Sequence, residues 1–169
     1  MLLNWEDRPF EIAYGLNPAF LAILLHQAIL SFERKDSQGM SYPLLMLVVP
    51  IIFYAPIRNR LPKDENSDMS QWVKDNPEVV LNFPNRVNQL IPYSKEAIIF
   101  AMQQDIIKIS SEGNFLAQKK QLYIDKNLQW NFSPNSRTYQ MKTKAQFLGK
   151  WFAMSGSTEA IYRTLGIKP

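Results

Sequence analysis

Cysteine is absent from this chain of 169 residues, and histidine occurs once, at His26. Without cysteine there is neither a disulfide framework nor a thiolate zinc site, which fits a reducing compartment. A single histidine rules out a His-rich metal centre, and a Ser-His-Asp arrangement would have to be built on His26 alone. That residue lies in the most apolar stretch of the sequence. It reads as a core or helix-face histidine bonded to a neighbour, because buried polar groups are normally satisfied locally. Glycine is also scarce, with six residues widely spaced. They form neither a GxxxxGK loop nor a GxGxxG loop, so nucleotide binding through a known phosphate loop is not expected.

Long uninterrupted apolar runs are missing too. Phe20 to Leu30 is broken by His26 and Gln27, and Leu44 to Ala55 contains Pro50. The second run is shorter than the roughly 18 residues that suggest a membrane span, and buried core helices explain both. The first residues, Met1 to Asp7, lack the basic and apolar regions of a signal peptide. A soluble, cytoplasmic protein with no membrane partner is expected. Carboxylates are scattered. Asp64, Glu65 and Asp68 cluster in a polar loop that reads as a solvated turn rather than a metal site. No catalytic, cofactor-binding or metal-binding residue is assigned, and no enzymatic activity is expected.

What the chain does have is enough apolar material to fold. Hydrophobic residues make up 46%, and a chain of this size buries about two-thirds of its unfolded surface. The formal charge is +4 but unevenly spread. Between residues 119 and 150 stand Lys119, Lys120, Lys126, Arg137, Lys142, Lys144 and Lys150, with Asp125 the one anion. Such a segment is either a solvated basic region or a face for nucleic acid or an acidic protein surface.

Asn17-Pro18 is the clearest helix start: Asn is a favoured N-cap, and Pro at the first helical position gives up an N–H that had no partner. Phe20, Leu21, Leu24, Leu25, Ala28 and Phe32 then recur at helical spacing, and Ile23, Ile29 and Leu30 widen the face. This helix is expected to run to about Arg34, buried on most sides. A shorter helix is predicted over Phe10 to Gly15. Another covers Pro43 to Phe53, where Pro50 marks a kink or an end and the β-branched residues leave a strand open. Lys63 to Asp68 reads as the flexible tip.

Further on, short helices are predicted over Ser70 to Lys74 and Asn85 to Leu90, then one capped by Ser94 that carries Ala97, Ile98, Ala101 and Met102. Ile106 to Ile109 and Phe115 to Ala117 flank a Gly-containing turn and read as a hairpin. Helix, helix, hairpin is the order of a winged helix-turn-helix, though many small α+β folds share it. Residues 121–140 read as irregular. Two helices close the chain, one with Phe147, Leu148, Trp151 and Phe152, the other capped by Ser157 and stopped by Gly166. The expected fold is thus α+β and predominantly α-helical, one domain over 1–169. It comprises a helical part at about 1–62, a winged-helix part at about 70–118 and closing helices at about 143–166.

Several separated stretches share a pattern with one family. They are Trp5 to Arg8 with Glu11, Asn17-Pro18-Ala19-Phe20, Leu45 to Ile52, and Arg60-Leu61-Pro62. Trp72 with Asn76-Pro77, Arg86, and Leu90-Ile91-Pro92 to Ala97 follow in the same order. Gly149-Lys150-Trp151-Phe152-Ala153 and Ile161-Tyr162 with Leu165 to Pro169 complete the set. In these the chain resembles the middle component of three-component ABC systems, whose best-known members serve as the middle subunit of Lamassu anti-phage complexes. The loop at 119–142 carries no motif of that family. The resemblance implies a small adaptor, encoded between an effector, often a nuclease, and an SMC- or Rad50-like ABC ATPase, and bridging the two. It brings no catalytic residues with it.

Trp5, Arg8, Phe10, Arg58 and Arg60 lie in segments with weak reason to be core and are the candidate partner contacts. Lys119, Lys120, Lys126, Arg137, Lys142 and Lys144 are the candidate DNA contacts. The alternative function is a winged-helix DNA-binding protein, in which Lys95, Gln103, Gln104 and Lys108 would also meet phosphates.

Overall fold

Asn17 does what its type favours at a helix start. Its side-chain oxygen accepts the Ala19 N–H at 2.9 Å, and Pro18 opens the first turn. In the computed structural model, which describes residues 2–118 and 136–167, this cap separates a short helix α1 (Phe10–Gly15) from the long α2 (Pro18–Glu33). Eleven of the sixteen residues of α2 are buried. It is the central helix of the fold, packed against three other helices and a strand. The stretch Phe10–Glu33 is long and apolar enough to cross a membrane by length and composition, yet 61% of its apolar 18-residue window is buried inside the protein.

The apolar run after it is a helix, α3 (Tyr42–Phe53), not a strand. Leu44 to Ile52 are all buried, so packing on every side outweighs the β preference of Val48, Val49, Ile51 and Ile52. Pro50 sits inside α3, which ends soon after it, and the chain turns at Tyr54 into α4 (Ala55–Arg60). The loop over 63–68, expected to be a flexible tip, is tied down. Glu65 takes ion pairs from both Lys35 and Lys150 at 3.0 Å, and the Ser67 carbonyl accepts the Trp151 indole N–H at 2.8 Å. Asp68 is spent as the N-cap of α5 (Met69–Asp75), accepting the Gln71 N–H at 2.7 Å.

Residues 83–103 depart furthest from the expected pattern. The two helices expected at 85–90 and from Ser94 are one continuous helix, α6 (Phe83–Gln103), with Pro92 inside it. Ser94 caps nothing; it is fully buried, with its hydroxyl unpartnered. The turn expected between those two helices is therefore missing. The hairpin is present: β1 (Ile107–Ile109) and β2 (Phe115–Ala117) are antiparallel, Lys108 opposite Leu116. Met40 extends it by exchanging backbone hydrogen bonds with Phe115 at 3.0 and 2.8 Å. Gly39 permits that contact. It has a φ of +86°, and a Cβ there would come within 2.7 Å of the Phe115 carbonyl oxygen.

The closing helices are α7 (Arg137–Met154) and α8 (Thr158–Thr164), capped by Ser136 and Ser157. Residues 137–140, expected to be irregular, thus form the first turn of α7, which starts earlier than residue 143. Gly149 lets α7 lie directly on α2, where a Cβ would overlap the Ala28 carbonyl. Trp151 and Trp72 meet edge to face at 5.2 Å beneath the 63–68 loop. One hydrophobic cluster runs from Phe20 through Val87 and Phe115 to Leu165, so all three segments of the chain share a core.

Candidate interaction surface

The N-terminal arm has too few apolar residues to sink into the core, yet it is held in place. Arg8 makes two parallel 2.8 Å hydrogen bonds to the Glu96 carboxylate on α6, and its Nε donates to the Leu3 carbonyl at 3.0 Å. This fork-on-fork pairing fixes direction as well as position. The bond to Glu96 raises the Arg8 pKa above its ordinary value, with burial opposing it. The guanidinium lies 5.4 Å from the Trp5 ring centre and 6.0 Å from that of Tyr93. Arg8, expected to meet a partner, is thus an internal clamp whose side chain is 5% exposed.

What the clamp presents is aromatic. Trp5 is 46% exposed, Phe10 70% and Tyr14 74%. Phe10 and Tyr14 stand one helical turn apart on α1 with ring centres 4.6 Å apart. Both therefore point outward from an element with no buried residue. Beside them opens a groove of about 630 Å³, lined chiefly by Trp5, Tyr14, Phe20, Phe53, Arg137 and Met141. Tryptophan and tyrosine that remain exposed around an apolar groove are the composition of a protein-binding hot spot.

Across the first turns of α7 lies a smaller cleft of about 230 Å³, between α4 and α7, lined by Arg58, Asn59, Tyr139, Gln140, Thr143 and Lys144. Arg58 was expected on the surface, but only 8% of it is exposed, and it donates to the Ile52 carbonyl at 2.6 Å. Its pKa is lowered by burial and further by the charge of Arg137. Lys144 is lowered by burial as well, and its ammonium lies 5.8 Å from the Phe147 ring. Arg60 is exposed, paired with Glu78 at 3.1 Å, and its carbonyl accepts the Trp72 indole N–H.

The basic residues do not form one stripe. Arg137 and Lys144 border the groove and the cleft, whereas Lys142 lies on the side of α7 where its charge acts on His26. Lys119, Lys120 and Lys126 lie outside the described residues. Lys95 and Gln103 are exposed along α6, Gln104 at its C-cap and Lys108 on β1. His26 is buried, its Nε2 donating to the Gln118 carbonyl at 3.1 Å and its Nδ1 accepting from Gln27 at 3.4 Å. Burial holds its pKa below the ordinary 6.5. Among the described residues no group of three or more histidines or carboxylates is placed to hold a metal ion.

Of the candidate partner contacts, Trp5 lines the groove and Phe10 stands exposed beside it; Tyr14, Phe53 and Met141, also in its walls, were not among the candidates. The Phe10-to-Tyr14 spacing of four was a usable signal. The groove walls from α3 and α7 carried none, because only tertiary packing brings them beside the arm. Residues 5–169 match the model of a family described as ABC-three component (ABC-3C) system Middle Component 3. Comparison with curated proteins and with solved structures finds no match.

Proposed function

Because the chain belongs to the Middle Component 3 family of ABC-three component systems, we propose that it is a non-catalytic adaptor, bridging an SMC- or Rad50-like ABC ATPase and an effector such as a nuclease. The setting is a Lamassu-like anti-phage defence complex in the cytoplasm, with DNA met through the complex. The observation that carries this reading is the clamped arm. A protein that holds Trp5, Phe10 and Tyr14 in solvent beside an open apolar groove keeps costly surface exposed for another macromolecule to cover. One surface does not make a bridge; Leu81 and Met154, which do not line the groove, are further exposed apolar side chains.

A DNA-binding regulator is the reading these observations favour less. The helix-turn-helix geometry is absent from α6, and the described cations are divided among several faces.

The test is co-expression with the products of the neighbouring genes, followed by size-exclusion chromatography. The chain is expected in one complex with both. Trp5→Ala with Tyr14→Ala should weaken one of the two contacts by about 2 kcal/mol or more while leaving the melting curve unchanged. An ATPase–effector complex that assembles fully without this chain would end the bridging idea.

A further inference from the structure

We propose that the cleft between α4 and α7 is a carboxylate-binding site, built to take an Asp or Glu side chain of a partner segment whose adjoining apolar side chain fills the aromatic groove. The inference rests on the adaptor reading and says how the partner is recognised.

The cleft holds an unmatched charge. Four cations of the described structure meet a carboxylate: Arg8 with Glu96, Lys35 and Lys150 with Glu65, Arg60 with Glu78, and Arg86 is covered instead by the Tyr54 ring at 3.6 Å. Arg58 is more than nine-tenths buried and lines an open cleft, yet no carboxylate among the described residues lies within ion-pair distance of it. Nor does a carboxylate among the described residues pair with half-buried Lys144, on the facing wall, or with exposed Arg137, whose positive charge reaches Arg58. A guanidinium has five N–H donors in a fixed fork matched to a carboxylate, and the Ile52 carbonyl takes only one of them through Nη1. Burying a cation without a counter-charge is costly unless an anion arrives to complete the pair. Asn59, Tyr139 and Thr143 add neutral hydrogen-bonding groups around the opening.

Size and surroundings choose the anion. A cleft of about 230 Å³ suits a single carboxylate-bearing side chain, whereas a duplex presents its phosphates on a convex ridge that reads protruding lysines and arginines. Arg58 is recessed. The neighbouring groove, reached past Arg137, is lined by Trp5, Tyr14, Phe53 and Met141, which suits an apolar side chain and not a phosphodiester backbone. An acidic residue flanked by an apolar one satisfies both openings at once.

The experiment uses the full chain and the two components encoded beside it, with Arg137→Glu, Lys144→Glu and the double variant compared with wild type. The two changes lie near the surface, and circular dichroism melts monitor folding. The double variant is expected to lose at least about tenfold in affinity for one component with an unchanged melt. Reversing an acidic residue of that component to Lys, at a position cross-linked to α7, should restore binding. Wild-type affinity in the double variant overturns the cleft's assignment and leaves the adaptor reading standing. So does an effect confined to binding of a short DNA duplex. A wild-type chain that captures neither component defeats both.

Discussion

Gly149 and His26 illustrate how single residues are committed by their surroundings. Gly149 has no side chain because the α7 backbone there rests on the Ala28 carbonyl of α2, and an added Cβ meets main chain that cannot swing aside. Gly149→Ala should therefore cost about 3 kcal/mol or more, read as a lower urea midpoint, whereas Ala145→Gly on the same helix should show the smaller helix-propensity loss of about 1 kcal/mol plus lost packing. His26 is the only histidine, and burial lowers its proton affinity below the ordinary 6.5. Below that pH the unfolded chain takes up a proton that the folded chain resists, so stability falls as pH falls. Between about pH 7 and 5.5, above the carboxylate range, melting temperature should drop, and His26→Gln should flatten the slope. His26 was legible as a core residue, since one histidine amid Leu24, Leu25 and Ala28 had few other roles. Arg58 was not legible. Between two prolines and beside Asn59 it read as surface, and only tertiary packing, with the Ile52 carbonyl of α3 bonded to it and α7 across the cleft, buries it.

At the scale of elements, caps and periodicity carried most of the information. Asn17-Pro18, Ser157 and the Phe20–Phe32 pattern each describe a local event that needs no distant partner. Failures came where a local rule competed with tertiary packing. Pro92 is a helix breaker by rule, yet α6 runs through it with one face on α2 and α3; buried Phe83, Val87, Ala97 and Ala101 hold the helix together on both sides of the proline. The arm is the opposite case, an element with almost no core of its own that depends on one ionic fork. Arg8→Ala should release residues 2–8, raising their amide exchange and cutting partner affinity. The loss of global stability should be only about 1 kcal/mol, because the pair is partly open to solvent. Retained protection of the arm in that variant would mean that apolar contacts, not Glu96, hold it.

For the molecule as a whole, the decisive feature is that α2 serves every layer. It contacts α3, α6, α7 and β2, and one apolar cluster spans Phe20 to Leu165. None of the elements packed on α2 can then leave without exposing the rest. Unfolding by urea should be a single transition, with coincident midpoints for helical circular dichroism and for the fluorescence of the Trp72–Trp151 pair. Separate midpoints would mean that the chain is divided energetically where its fold is not. The groove and cleft exist only at this scale as well. Their walls come from the arm, α1, α2, α3 and α4 on one side and the start of α7 on the other.

By itself the sequence determined the class of protein: mostly helical, well supplied with core residues, without cysteine and with a single histidine. Those properties are sums over residue types and short-range spacings, which need no three-dimensional information. It also determined which segments could begin and end helices, because caps act within a few residues. Tertiary structure alone decided which charges find partners and which are left facing an opening. Pairing depends on distances of a few ångströms between residues far apart in the chain. Arg8 reaches Glu96 across the fold and becomes a clamp; Arg58 is brought to α7, finds no carboxylate among the described residues, and becomes the centre of a site.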